Sequence, residues 1–298
     1  MSGVRKIEHA RLRVPDVQSS VAFCTDVLGL VKLESDDDAV YLGCGYDKHF
    51  DLAVTSGDGG VDHVAVRVDD RSTFETMAER LTERDVDVHR TDGTEPGEVD
   101  VLRFPLLGGT EIELVRMDDS EYIHPAYPSS RSGAGAGPIN LDHANLASTR
   151  VEADATFLRD VLEFGISDVR HSGETWIQAF TRLGSHHHDV ALTADDDPRR
   201  TLHHIAWHVP SIEGIKVLAD RLAPTEWSLE MGAIGRHQAG GCIFAYLIEP
   251  GGNRFELCTE MPTLDDDTEV TFRDANAEDS SISAWGDLEV PSSFGAGS

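Results

Sequence analysis

One pattern occurs four times along this chain of 298 residues, and it constrains the fold more than any other feature. Each copy begins with a histidine at the start of a short apolar stretch, continues with a helix-like segment and ends in strand-like sequence. The four opening histidines are His9, His63, His143 and His204. Because a repeat of this kind folds as one recurring unit, the pattern predicts four α+β modules.

The four modules group into two halves. Copies one and two predict a first domain over residues 1–116, and copies three and four predict a second domain over residues 139–262. Residues 117–138 form a predicted linker, because their later part is rich in glycine, serine and proline. The acidic tail over residues 263–298 carries Trp285 and Phe294, so we expect it to dock on the folded chain, near the site.

The charge of the chain restricts its partners and its environment. Asp and Glu number 54 against 25 Lys and Arg, which gives a formal net charge of −29, and only four residues are lysines. Nucleic-acid binding is not expected, because phosphate contacts need a basic surface. An acidic surface poor in lysine fits a halophilic protein, since salt at 1 M screens charges over about 3 Å.

The cysteines and the apolar segments indicate the cellular compartment of the protein. The four cysteines, Cys24, Cys44, Cys242 and Cys258, show no paired spacing, which predicts small buried thiols rather than disulfides or a zinc site. The N-terminal residues lack the apolar region of a signal peptide, and no apolar run is long enough to span a membrane. We therefore expect a cytoplasmic protein with no membrane contact.

Two histidines and a glutamate in the second half form a candidate metal site. His143, His204 and Glu256 are separated by 61 and 52 residues, and Glu256 follows a turn at the start of a predicted strand. On one face of three strands, two imidazoles and one carboxylate make a facial triad. Such a triad leaves three metal positions open, which suits ferrous iron and dioxygen chemistry.

The first half repeats this set as His9, His63 and Glu113, with gaps of 54 and 50 residues. The surroundings of the two sets differ. Asn145, His188, His237 and Tyr246 accompany the second set, whereas Arg11, Phe50, Asp92 and Val101 stand at the corresponding positions of the first. We therefore predict the working site in the second half and a structural duplicate in the first, where metal binding stays an open alternative.

Five segments of the second half carry a family resemblance. They begin at Leu141, His188, Leu202, Gly235 and Tyr246, and the last runs Tyr-Leu-Ile-Glu-Pro-Gly-Gly-Asn-Arg-Phe-Glu. With them the chain resembles the type I extradiol ring-cleavage dioxygenases of the vicinal oxygen chelate superfamily, close to the catechol and homoprotocatechuate 2,3-dioxygenases. The resemblance implies four βαβββ modules paired into two homologous domains, each an open, barrel-like curved sheet, and a homo-oligomer that is a tetramer or dimer.

The resemblance also implies a chemistry. His143, His204 and Glu256 would hold Fe(II), or less often Mn(II), and O2 would be a co-substrate. The substrate would be a small aromatic diol, a catechol, whose ring opens beside the two hydroxyls to give a muconic semialdehyde. Such a reaction belongs to the degradation of aromatic compounds.

Four further side chains receive roles from the same resemblance. His188 matches the family's acid–base histidine, Tyr246 would hydrogen-bond a substrate oxygen, and Asn145 and His237 would shape the oxygen and substrate pockets. Three neighbouring histidines receive none. We expect His203 on the opposite face of its strand, and His186 and His187 in a loop.

Departures from the homoprotocatechuate branch bear on the substrate. That branch has an arginine pair where this tail runs Ser281-Ile-Ser-Ala-Trp-Gly, a further arginine just before the position of Gly235, and a tryptophan at the position of Phe180. A carboxylated substrate would find few charge partners. We therefore expect an uncharged or alkyl-substituted catechol, unless Arg182 or Arg236 reaches the site.

Two other functions compete with this interpretation. A glyoxalase-like isomerase or a thiol transferase of the same superfamily would draw metal ligands from both halves and would not need His188 or Tyr246. A protein that binds an aromatic ligand without turnover would hold no stoichiometric iron. Oxygen consumption distinguishes the dioxygenase from both.

Overall fold

We describe a computed structural model of the chain over residues 4–46, 48–118, 137–277 and 281–298. The first two modules form one sheet with two helices. Their elements are β1 (Val4–Val14), α1 (Val17–Phe23), β2 (Val31–Ser35), β3 (Ala39–Gly43), β4 (Leu52–Ser56), β5 (Val61–Val68), α2 (Arg71–Thr82), β6 (His89–Thr91), β7 (Glu98–Pro105) and β8 (Glu111–Met117).

The second pair of modules repeats this plan. Its elements are β9 (Asn140–Ser148), α3 (Val151–Leu162), β10 (Gly165–Ser172), β11 (Thr175–Arg182), β12 (Val190–Ala194), β13 (Leu202–His208), α4 (Ile212–Leu222), β14 (Gly235–Arg236), β15 (Ile243–Ile248) and β16 (Arg254–Thr259). The prediction of four βαβββ modules in an α+β fold is therefore confirmed. Of the predicted linker, residues 119–136 lie outside the described part of the chain, so its bounds stay a prediction.

Each sheet is built around the opening strands of its two modules. The strand order is β2-β3-β4-β1-β5-β8-β7-β6 in the first sheet and β14-β15-β16-β13-β9-β12-β11-β10-β17 in the second, where β17 is the tail strand Thr271–Asp274. The opening strands are the first strands of the modules, and those of the second domain, β9 and β13, pair antiparallel. The closing strand β16, the last strand of its module, lies parallel beside β13. β1, β5 and β8 repeat this arrangement in the first sheet. The first strand of each module is therefore central, where it is buried on both sides.

Apolar residues at helical spacing hold the helices against the sheets. In α2, Phe74, Met77 and Leu81 are buried, and the carboxylate of Asp70 accepts a hydrogen bond from the backbone N–H of Thr73. Removing one such side chain from water contributes about 1.5–3 kcal/mol. The spacing of the apolar residues and the capping aspartate are the sequence features that produce this helix.

The C-terminal tail lies on the second sheet. Its strand β17 (Thr271–Asp274) pairs in parallel with β10, and the last residue, Ser298, exchanges backbone hydrogen bonds with Leu202. The Phe294 ring lies 4.9 Å from the ring of Tyr246. Trp285 remains 55% exposed, with the Arg236 guanidinium 5.3 Å from its ring. The two aromatic residues of the tail therefore differ, since only Phe294 joins the interior.

Asn253 joins the two domains through a buried polar contact. Its side-chain amide donates a hydrogen bond to the backbone carbonyl of Arg13, and its oxygen accepts one from the backbone N–H of Gly60. The residue is fully buried. The turn before Glu256 thus also holds the first domain in place.

Asn253→Ala should lower the thermal stability of the protein. The change leaves two buried backbone groups of the first domain without partners, and each such loss costs about 1–3 kcal/mol. Thermal unfolding in concentrated salt measures the effect, with Asn276→Ala, at an exposed asparagine, as the control. Equal melting temperatures for the two variants would contradict the role given to Asn253.

Candidate metal centre

Three donor atoms from the centre of the second sheet meet at one point. The Nε2 atoms of His143 and His204 are 3.2 Å apart, and Glu256 Oε2 lies 3.4 Å from the first and 3.0 Å from the second. Ligands that each lie about 2.1 Å from a shared ion in octahedral geometry are about 3.0 Å apart on one face. The donor set therefore fits a first-row divalent metal.

Strand pairing accounts for this meeting. Ala206 on β13 is the register partner of both His143 on β9 and Glu256 on β16, and His204 lies two residues before it. Side chains two residues apart on a strand point to the same face. The three donors consequently share one face of three adjacent strands.

The protonation of the three donors depends on burial and on their hydrogen bonds. Burial alone would raise the pKa of Glu256, but hydrogen bonds from His143, His204 and His237 outweigh it and hold the pKa well below its usual range. Burial lowers the pKa of His204 to about 4, which leaves this imidazole neutral. Hydrogen bonds to Asp142 and Glu256 outweigh burial at His143 and raise its pKa to about 9. A bound cation would take the place of that proton.

The ring orientations of both histidines are set by outer hydrogen bonds. Asp142 Oδ1 lies 2.8 Å from His143 Nδ1, so the Nε2 lone pair of His143 faces the other donors. His204 Nδ1 lies 2.7 Å from His203 Nδ1, and His203 Nε2 donates to the carbonyl of Phe294 at 2.8 Å. That donation leaves His203 Nδ1 as the acceptor, which fixes the proton of His204 on Nδ1.

The expected position of His203 is therefore wrong. The register of β13 against β9 shifts between Leu202 and His204, which marks a bulge. A bulge interrupts the alternation of side chains along a strand. As a result His203 lies beside His204 and lines the same cavity, rather than pointing to the opposite face.

A cavity of about 870 Å³ opens over the three donors. This volume lies within the range of small-molecule sites. The predicted residues Asn145, His188, His237 and Tyr246 all line it. Its apolar walls include Phe180, Ile282, Leu288 and Phe294, and the last three belong to the tail beyond Ser281, which packs against Tyr246.

The predicted residues lie close to the three donors. The ring of His188 is buried, 4.2 Å from the ring of His143. His237 Nε2 lies 3.0 Å from the Tyr246 hydroxyl and 3.3 Å from Glu256 Oε1. Burial and the charge of Glu256 raise the pKa of Tyr246 well above its usual range, so the hydroxyl keeps its proton.

Two residues that the sequence analysis missed support His188 from behind. His187 is buried, its Nδ1 lies 2.9 Å from His188 Nδ1, and its Nε2 lies 2.7 Å from Asp168 Oδ2. Asp168 Oδ1 in turn accepts a hydrogen bond from Arg273 Nε on β17. His186 and His187 both lie in the loop between β11 and β12, as expected, but only His186 is exposed. The sequence signal was weak, because Asp168 is a lone acidic residue 19 positions away.

The charged residues at the cavity also differ from those expected. Arg182 donates to the backbone carbonyls of Gly184 and Asp265, and Arg236 pairs with Glu260, so both are engaged elsewhere. Arg170 and Arg273 line the cavity instead, together with Asp274 and Asp287. Positive and negative side chains are thus both present in the lining.

The remaining sequence expectations concern thiols and membranes. All four cysteines are buried and free, as predicted. Within the described ranges, no helix combines the length and the apolar character that crossing a membrane would require.

Comparison with known proteins agrees with this geometry. The model of the Glyoxalase/Bleomycin resistance protein/Dioxygenase superfamily matches residues 6–99 and 140–257. The chain belongs to this superfamily. It is 29% identical over 268 residues to the manganese-dependent 2,3-dihydroxybiphenyl 1,2-dioxygenase of Geobacillus genomosp. 3, which covers 85% of this chain and 84% of that protein.

Solved structures of this superfamily share the fold. The 2,3-dioxygenase LapB from Pseudomonas sp. KL28 superposes with a TM-score of 0.84 at 25% identity, over 92% of this chain and 98% of that one. Homoprotocatechuate 2,3-dioxygenase from Arthrobacter globiformis superposes with a TM-score of 0.87 at 23% identity, over 100% of this chain and 92% of that one. The predicted resemblance to extradiol dioxygenases, which are oxidoreductases, is confirmed.

Proposed function

We propose that this protein is an extradiol dioxygenase that opens the ring of a catechol beside its two hydroxyls and gives a muconic semialdehyde, in the breakdown of aromatic compounds. The observation that carries the proposal is one cavity that combines the facial triad with an acid–base histidine, His188, and a protonated tyrosine, Tyr246. A glyoxalase-like site would draw its ligands from both domains, whereas this triad lies entirely in the second.

The proposed metal is Fe(II), with Mn(II) as the alternative, because the same nitrogen and oxygen donors accept both ions. His143, His204 and Glu256 would hold it. When bound, the metal supplies the Lewis-acid and redox chemistry by which a catechol reacts with O2. The cavity opens over the three donors, where two substrates would have room beside the metal.

His188 is proposed to move a proton. Burial, followed by the repulsion of His143 and His187, holds the pKa of His188 well below its usual range, so the ring is neutral. His187 Nε2–H donates to Asp168, so His187 Nδ1 accepts the proton of His188 Nδ1. His188 Nε2 therefore carries a lone pair, which takes a proton from a substrate hydroxyl and later returns it to the product.

Tyr246, His237 and Asn145 are proposed to position the substrates. The Tyr246 hydroxyl keeps its proton, so it donates a hydrogen bond to a substrate oxygen while His237 Nε2 holds it from the side. The Asn145 side-chain oxygen accepts from the Thr193 hydroxyl at 2.8 Å, which leaves the Asn145 amide N–H groups for the oxygen pocket. The apolar wall formed by Phe180, Leu288 and Phe294 excludes water around them.

Oxygen uptake tests the proposal. Enzyme purified anaerobically with Fe(II) in concentrated salt, then mixed with catechol and air-saturated buffer, should consume O2 and form a yellow product together. Glu256→Gln and His204→Ala should abolish both signals, whereas His89→Ala, at an exposed histidine, should not. If wild-type protein carries the metal on His143, His204 and Glu256 and still consumes no O2, cleavage of simple catechols is excluded and the isomerase class is favoured.

We further propose an uncharged or alkyl-substituted catechol as the substrate, because the cavity has an apolar wall of Phe180, Leu288 and Phe294, and two aspartates line it beside its two arginines. The kcat/KM for 4-methylcatechol should exceed that for homoprotocatechuate, measured as oxygen uptake over a range of concentrations. The opposite order would overturn this preference. If the Arg170→Gln variant then preferred 4-methylcatechol again, Arg170 would be the residue that binds the carboxylate of homoprotocatechuate.

His187→Phe should lower kcat by about tenfold to a hundredfold, as is typical when a partner behind an active-site ligand is lost. The ring volume is kept, but both hydrogen bonds that fix the proton of His188 are removed. We expect KM to stay unchanged and the pH profile of kcat to shift. His186→Phe, at the exposed neighbouring histidine, is the matched control. Unchanged pH profiles in both variants would show that His187 does not position His188.

A further inference from the structure

A second cluster of metal-binding residue types lies in the first domain, at the position that corresponds to the metal centre of the second. His9, His63 and Glu113 come together there as the strand pairing requires, on β1, β5 and β8. Two residues that the sequence analysis did not identify, Glu95 and Glu98, join them from the loop before β7 and from its first position. All five side chains have 0% solvent exposure.

In each of the three carboxylates, only one of the two oxygens has a hydrogen-bond partner. Glu95 Oε1 pairs with Arg11, and Glu113 Oε2 pairs with Arg103. Glu98 Oε2 accepts hydrogen bonds from two backbone N–H groups of the preceding loop. The other oxygens of all three, Glu95 Oε2, Glu98 Oε1 and Glu113 Oε1, are buried without a hydrogen-bond partner.

The three unpartnered oxygens converge on the histidines. They lie 3.0, 3.8 and 3.5 Å from His9 Nε2, and His63 Nε2 lies 3.4 Å from His9 Nε2. The corresponding distances among the donors of the second domain are 3.0–3.4 Å. The donor atoms of the first domain form two close groups that share His9, namely His9–His63–Glu95 and His9–Glu98–Glu113, and either group could hold an ion.

The orientation of His63 follows the same rule as that of His143. Asp62 Oδ2 lies 3.1 Å from His63 Nδ1, as Asp142 lies beside His143 Nδ1. A proton on Nδ1 turns the Nε2 lone pair of His63 toward the cluster. Carboxylate–histidine pairs of this kind are typical of metal sites.

The three inner oxygens bring negative charge together in the interior of the domain. Three carboxylates surround the two imidazoles, and Arg11 and Arg103 pair with the outer oxygens of two of them. A buried carboxylate without a partner is costly, so a positive ion among the inner oxygens would stabilise the folded domain.

We propose that the first domain binds a second divalent cation, a first-row ion such as Mn(II), as a structural metal. Its ligands are His9, His63, Glu95, Glu98 and Glu113. Such a set of imidazoles and carboxylates has the donor chemistry of Mn(II) and Fe(II) sites. The proposal goes beyond the proposed dioxygenase activity and does not depend on it.

Closure of the first-domain site explains why it would stabilise rather than catalyse. Phe50 lies 4.3 Å from the ring of His9, where His188 stands beside His143 in the second domain. Five protein donors leave little room for other ligands, and none of the five is exposed. Structural metal sites are closed in this way, whereas catalytic sites keep open positions.

Manganese stoichiometry in the full-length protein tests the proposal. After Mn(II) loading and removal of excess metal, the wild-type protein should retain two ions per chain by elemental analysis. Glu256→Gln should retain one, and its melting temperature should still fall when EDTA is added. The double variant Glu95→Gln/Glu256→Gln should retain none and show no EDTA effect. Glu111→Gln/Glu256→Gln changes the glutamate two residues before Glu113 on β8 and is the matched control, which should keep one ion.

The outcomes separate this proposal from the proposed activity. Two ions in the wild type, with O2 uptake preserved in Glu95→Gln but lost in Glu256→Gln, would support both. Two ions without any O2 uptake would support only the structural metal. The proposal of a second metal site would be overturned if the wild type retained one ion and Glu256→Gln retained none and did not respond to EDTA. Protons would then neutralise the carboxylates of the first-domain cluster. The wild-type count decides the question even if Glu95→Gln fails to fold.

Discussion

The pairing of the two opening strands in each domain is the constraint on which the rest of the structure depends. β9 and β13 run antiparallel at the centre of the second sheet, with β16 parallel beside β13, and β1, β5 and β8 repeat this in the first. Each opening strand supplies a histidine, and one closing strand supplies a glutamate. Residues 61 and 52 positions apart thus meet within hydrogen-bond distance without any contribution from long loops.

The duplicated scaffold supports two different kinds of cluster. In the second domain three donors face an open cavity, which His188 and Tyr246 also line. In the first domain Glu95 and Glu98 bring further carboxylates beside His9, and Phe50 stands where His188 stands in the second. The difference between an open and a closed site therefore comes from the loop before β7 and from single side chains, not from the sheet.

Pairs of adjacent histidines recur in the second domain. In both His187–His188 and His203–His204 the two Nδ1 atoms are in contact, at 2.9 and 2.7 Å. The outer ring is anchored by Asp168 in the first pair and by the carbonyl of Phe294 in the second. The tail takes part in both arrangements, through Arg273 behind Asp168 and through Phe294 itself. The C-terminal segment is thus a component of the site rather than an appendage.

The sequence by itself determined the repeat, the α+β modules and which two histidines and one glutamate of the second domain come together. Recurring histidines and a recurring glutamate at similar spacing identify equivalent positions, and strand periodicity then fixes which side chains share a face. The tertiary structure alone decided the partners of these residues. His187, Asp168, Glu95 and Glu98 have no repeat equivalents with the same role, and the bulge at His203 breaks the alternation that a sequence-based prediction assumes. Contacts of this kind depend on loop paths and strand register, which local sequence patterns do not encode.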